Sequence, residues 1–159
     1  MAPKQKPGKS RQDYQTPIEF VRAVRGLLGI VDFDIDLAAD TRNRVCREFY
    51  SQRKSAFDHT WRVRNGWNWC NPPFTKIGPW VERGLEMTRD REAQTCFLLP
   101  ASVSSNWFAE WAHQKALVLF VRPRLTFVGC DDPYPKDLML LLYSPAVPPG
   151  YDTWRWDTP

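Results

Sequence analysis

Asn71-Pro72-Pro73-Phe74 places an amide, two prolines and an aromatic ring within four consecutive residues. That set suits an exocyclic amino group on a nucleobase, whose nitrogen is a poor nucleophile because its lone pair is delocalised into the ring. The Asn71 side-chain oxygen and the Pro72 carbonyl can each accept one N–H of such an amine. Two acceptors so placed favour a more tetrahedral nitrogen, with its lone pair aimed at a methyl donor. Pro73 fixes its own φ and holds Pro72 in extended or turn geometry, while Phe74 can stack on the face of a base taken out of its helix. No general base is strictly required, because the amine becomes acidic only as the methyl group arrives. The same four residues also make an ordinary strand end, with Asn71 as a turn residue and Phe74 in the core, so the tetrapeptide alone leaves both readings open.

The flanks narrow the choice. Trp67-Asn68-Trp69-Cys70 reads as a buried strand, and Ile77, Val81 and Leu85 behind it recur at roughly one helical turn. Strand, rigid turn and helix put Asn71 at the carboxyl edge of a sheet, where open α/β folds bind ligands.

Other elements follow from pattern. Pro17 opens an apolar helix through Phe20, Val21, Val24, Leu27 and Leu28, ended near Gly29. Phe33 to Leu37 alternates apolar and acidic residues as a first strand, and a short second strand is expected at 44–50 around Cys46 and Phe49. Residues 54–64 are polar and mixed. A helix is predicted over 76–88 and a strand over 94–99, then a helix from Trp107 to His113. Strands are predicted at Leu117–Val121, Leu125–Val128 and Leu138–Tyr143. The Pro/Gly-rich tail 146–159 shows no element, and Trp154 and Trp156 are its candidates for packing on the body.

Charge is unevenly spread. Residues 1–11 carry Lys4, Lys6, Lys9 and Arg11 without an acid, which equals the net charge of +4 for all 159 residues. The rest of the chain balances to zero, so a nucleic-acid surface must be a local patch together with this arm. The arm has no apolar periodicity and is expected to be disordered, serving either phosphate contact or solubility. The body, 43% apolar over the whole chain, has material for one domain over 12–145. Cys46, Cys70, Cys96 and Cys130 show no ligand spacing and there are two His residues, so no metal is expected and core thiols in a reducing compartment are. No apolar run approaches membrane-spanning length and no signal peptide stands out, so a soluble cytoplasmic protein without a membrane partner is expected.

Taken in order, five segments resemble the phage-encoded DNA N6-adenine methyltransferases of Dam type, which are small S-adenosylmethionine-dependent enzymes. They are Asp13-Tyr14-Gln15-Thr16-Pro17, Phe33 to Asp40, Trp69 to Phe74 with Ile77 to Val81 behind it, Phe97-Leu98-Leu99-Pro100-Ala101, and Arg124-Leu125-Thr126-Phe127. The resemblance implies a compact Rossmann-like α/β fold with a largely parallel central sheet. The chain is short for such a sheet with helices on both faces, so some crossovers should be loops or single turns.

The resemblance also assigns roles. Asp36 would face the methionine amino group of S-adenosylmethionine, Thr16 beside Pro17 its carboxylate, and Tyr14 would wall the methionine end. Ala38 is small enough for close backbone approach, and Asp40 and Asn43 are candidate polar contacts. Read from local pattern alone, Thr16 caps the first helix, Asp36 caps a following one, and Asp40 and Asn43 are surface turn residues. Phe57 would pack on the cofactor adenine. His59-Thr60 stands before Trp61 where the family has an acid, and Asp58 is the nearest substitute. For DNA, Arg62 with Arg64, Arg122 with Arg124, and Ser105 are candidate contacts. The implied activity is methyl transfer to adenine N6 at a specific DNA site; a cytosine-N4 enzyme and a non-catalytic DNA- or protein-binding domain of the same fold are the alternatives.

Overall fold

The computed structural model describes residues 14–62 and 64–158, so the basic arm 1–11 lies outside the described residues. Six strands, β1 (Ile35–Asp36), β2 (Trp67–Cys70), β3 (Gln94–Pro100), β4 (Leu117–Arg122), β5 (Leu138–Tyr143) and β6 (Gly150–Arg155), form one sheet in the order β1-β2-β3-β5-β4-β6. β1, β2 and β3 pair in parallel, β5 runs antiparallel between β3 and β4, and β6 is parallel to β4. Every strand except β5 therefore points its carboxyl end toward the same edge.

Side-chain alternation along β3 divides the core in two. Cys96 and Leu98 pack with Phe20, Val21 and Val24 of helix α1 (Ile18–Leu28) on one face. Phe97 and Leu99 pack on the other face with Val81 and Leu85 of α2 (Gly78–Arg91) and Phe108 of α3 (Asn106–Trp111). A sheet covered on both faces needs near-continuous apolar strands, and β5 is buried at all six positions. Helix α2 sits close because Gly84 leaves its contact surface bare: a Cβ there would stand 2.6 Å from the Phe97 ring.

Several predicted elements differ from those observed. Leu125–Val128 is not a strand but part of the loop joining β4 to β5, folded back by Tyr134 N–H donating to the Leu125 carbonyl at 2.7 Å. The second strand at 44–50 reduces to one bridge between Asp36 and Phe49. Among the described residues, the crossover from β1 to β2 contains a single 3-10 turn, Ala56–Asp58. The tail, read as lacking an element, supplies β6; its pattern is mostly exposed, as suits an edge strand, so it carried no apolar signal. Trp154 and Trp156 do pin it to the body, with ring centroids 5.8 and 5.5 Å from Phe20. No helix among the described residues is long and apolar enough to cross a membrane.

Candidate active site

β2 delivers Asn71 to the carboxyl edge, and two bonds then fix its side chain. Its Nδ2 donates to the Tyr14 backbone carbonyl at 3.2 Å and to Thr16 Oγ1 at 3.3 Å. A carbonyl can only accept, so the atom facing Tyr14 must be the nitrogen; reversing the amide would abut two acceptors. The Oδ1 atom is thereby turned away from Tyr14 and Thr16, and no described residue donates to it. Thr16 is buried and spends its hydroxyl oxygen on Asn71, so it does not cap α1: Pro17 occupies the N-cap position and α1 has no side-chain cap. The local-pattern reading of Thr16 is corrected accordingly.

Pro72 is buried, while Pro73 and Phe74 are half-buried. The Phe74 ring belongs to an aromatic group with Tyr14 at 6.2 Å and Tyr134 at 5.7 Å, and Phe127 adds a contact to Tyr14 at 4.8 Å. Tyr134 was not foreseen. Its signal was present in the run Asp131-Asp132-Pro133-Tyr134-Pro135, where flanking prolines stiffen a turn that presents a ring. A bond of 3.1 Å from Val128 N–H to the Gln15 carbonyl ties the β4–β5 loop to the segment that holds Asn71.

Asp36 lies one strand over, opposite Trp69 in register and therefore on the approach to Asn71. Its carboxyl is 2% exposed, with Oδ1 accepting from Ala38 N–H at 3.3 Å and Oδ2 from Val45 N–H at 3.1 Å. Burial pushes its pKa from 3.8 to about 7, against the lowering effect of those two backbone donors. No basic side chain pairs with it among the described residues. Residues 38–45 are loop and turn, so Asp36 caps no helix. Asp40 and Asn43 spend their side chains on each other's turn: Asp40 Oδ1 accepts from Asn43 N–H at 2.9 Å and Asn43 Oδ1 from Asp40 N–H at 2.8 Å.

Phe57 and Asp58 fall in the 3-10 turn after this loop. Phe57 is 38% exposed, with its ring edge-on to Trp80 at 4.6 Å, and Asp58 is exposed. Tyr50 links the turn to β1, because its N–H donates to the Asp36 carbonyl and its ring stacks on His59 at 4.7 Å. The 3-10 turn of Phe57 and Asp58 is thus tied to the Asp36 strand, while Tyr14 and Thr16 meet Asn71 directly.

The proposed DNA contacts separate. Arg62 and Arg64 precede β2, at the amino edge opposite Asn71, and Arg62 is engaged with Glu92 at 3.1 Å and with Asn65 Oδ1 at 2.8 Å. Arg122 ends β4 at the carboxyl edge and is exposed; Arg124 is there also, paired with Asp137 at 3.1 Å. Ser105 caps α3 by accepting from Phe108 N–H and donating to the Ser102 carbonyl.

A family model described as "DNA N-6-adenine-methyltransferase (Dam)" matches residues 4–138 of this chain. A protein of Escherichia phage T1 named "DNA N-6-adenine-methyltransferase" is 32% identical over 120 residues, which is 76% of this chain and 49% of that protein. A protein of the same name from Haemophilus phage HP1 (strain HP1c1) is 25% identical over 126 residues, covering 76% of this chain and 72% of its own length. The chain thus spans about half the length of the phage T1 relative.

Proposed function

The chain belongs to the Dam family of DNA N-6-adenine-methyltransferases, and from that premise we propose that it transfers a methyl group from S-adenosylmethionine to the exocyclic amine of an adenine flipped out of DNA. The observation that carries this reading is the amide of Asn71, turned so that its Oδ1, unpartnered among the described residues, stands opposite the Tyr14 carbonyl at the carboxyl edge of the sheet. We read that sheet as a shortened Rossmann-like methyltransferase core, with β5 as its antiparallel member.

The residues present suit the cofactor. A buried carboxyl without a basic partner is costly, and an ammonium group offsets that cost. Each Asp36 oxygen accepts one backbone N–H, which leaves lone pairs for the methionine amino group. Phe57, 38% exposed beside Trp80, offers apolar surface to the adenine, and Tyr14 closes the methionine end. Asp40 and Asn43 are committed to their own turn, so their part is to shape the loop over Asp36.

Bound S-adenosylmethionine supplies an electrophilic methyl group on a sulfonium centre. Asn71 Oδ1 and the Pro72 carbonyl hold the two N–H bonds of the target amine, and Phe74 with Tyr134 supplies apolar ring surface against the base. The acceptors gain strength as positive charge develops on the amine nitrogen, so they favour the transition state over the ground state. DNA approaches across the carboxyl edge, where Arg122 carries an exposed guanidinium; the arm 1–11 adds phosphate affinity.

The test is nucleoside analysis of duplex DNA incubated with the protein and S-adenosylmethionine. N6-methyladenine is the expected product. N4-methylcytosine would move the reading to the sister chemistry, and no methylated base together with no cofactor binding would leave a binding domain.

A further inference from the structure

Thr16 and Asn71 are 55 residues apart in sequence and joined by one bond, Nδ2 to Oγ1 at 3.3 Å. We propose that Thr16 is a positioning residue for the reaction: its hydroxyl holds the Asn71 amide in place beside the Tyr14 carbonyl, which sets Oδ1, and not Nδ2, toward the target amine. This rests on the reading of Asn71 as the amine acceptor.

An isolated Asn amide rotates between two nearly isosteric states, and only one of them presents an acceptor. With Nδ2 facing the amine, donor would oppose donor and the amine would be repelled. The Tyr14 carbonyl disfavours that state, because it would lose an N–H and meet an oxygen instead, while the Thr16 hydroxyl, able to donate or accept, fixes where the amide sits. The Tyr14 acceptor is backbone and survives any substitution of its side chain, so Thr16 is the half of the lock that a mutation can open. Its position is itself well fixed: Thr16 is 7% exposed, directly ahead of Pro17 and α1, and the neighbouring Gln15 carbonyl is held by Val128 N–H at 3.1 Å. The segment that contributes the lock thus hangs on the β4–β5 loop as well as on α1.

The experiment compares wild type, Thr16→Val, Thr16→Ser, Asn71→Ala and the double variant Thr16→Val with Asn71→Ala. Single-turnover methyl transfer to DNA is measured at saturating S-adenosylmethionine and DNA, so that any change in cofactor affinity is removed. Circular dichroism checks the fold. Thr16→Val, which keeps the shape and removes the hydroxyl, should lower the rate roughly tenfold or more, since misplacement of a reacting group carries penalties of that order. Thr16→Ser should recover most of the loss. In the Asn71→Ala background Thr16→Val should change the rate less than about twofold, because the group it positions is gone. Thr16→Val at the wild-type rate would overturn the proposal, as would an equal loss in both backgrounds, which would mark a structural or cofactor role. An active wild type with either of those outcomes leaves the methyltransferase reading intact; a wild type that methylates no DNA overturns that reading and the positioning role with it.

Discussion

The backbone N–H of Val45 reaches back nine residues to the Asp36 carboxyl, 3.1 Å away. That bond closes the loop after β1 onto a carboxyl whose pKa burial raises to about 7. The protonated form is therefore favoured by folding, and the charged form by a cationic ligand.

Stability should record the first half of that statement. Between about pH 4 and pH 7 the folded protein holds a proton on Asp36 that the unfolded chain has released, so stability falls as pH rises through that window and levels off above it. A shift from 3.8 to about 7 corresponds to about 4 kcal/mol at most. Asp36→Asn removes this group, so chemical denaturation at pH 4 and pH 7.5 should show the wild type losing more stability than the variant over that interval. Parallel losses in the two proteins would mean that Asp36 titrates normally.

Cofactor affinity should record the second half with the opposite slope. An ammonium group pairs with the ionised carboxyl, so binding below pH 7 must release one proton, and affinity should weaken by up to about tenfold per pH unit as pH falls. Calorimetric titration in buffers of different ionisation enthalpy counts that proton. Proton-free binding at pH 6 would remove Asp36 from the amino-group site.

Geometry, and not acceptor strength, should decide what position 71 tolerates. Asn71→Asp supplies a stronger acceptor but turns an oxygen toward the Tyr14 carbonyl, where Nδ2 now donates at 3.2 Å. The variant should transfer methyl groups more slowly than wild type by about tenfold or more despite its charge. A rate at or above wild type in single turnover would show that the Tyr14 carbonyl exerts no such control.

What the sequence disclosed follows from which signals are local. The helix from Pro17 to Gly29 was legible because its apolar residues recur at 3.6 and its end carries a glycine, here at φ 66°. The strand before Asn71 was legible from its aromatic content. β6 was not, since an edge strand with exposed Tyr151, Asp152 and Thr153 has no apolar pattern and exists because β4 offers it a partner. Leu125 and Phe127 have strand-like spacing and are buried, yet they anchor a loop; burial periodicity alone does not distinguish the two. In the site, the residue types at Asn71, Asp36 and Thr16 were readable, but their partners were not. Tyr14 and Thr16 meet Asn71 only because α1 starts at the carboxyl edge, and Arg62 and Arg64 fall at the far edge because they enter β2 rather than leave it.

The central claim is that the Oδ1 acceptor of Asn71 does the chemistry, and Asn71→Ala tests it most directly. Single-turnover methyl transfer to duplex DNA, paired with calorimetric titration of S-adenosylmethionine, separates catalysis from binding. The account predicts a rate lower by about 10²-fold or more, the order seen when a transition-state acceptor or donor is removed, with cofactor affinity within a few-fold of wild type. An Asn71→Ala protein that methylates DNA at the wild-type rate would contradict it and return Asn71-Pro72-Pro73-Phe74 to a structural turn.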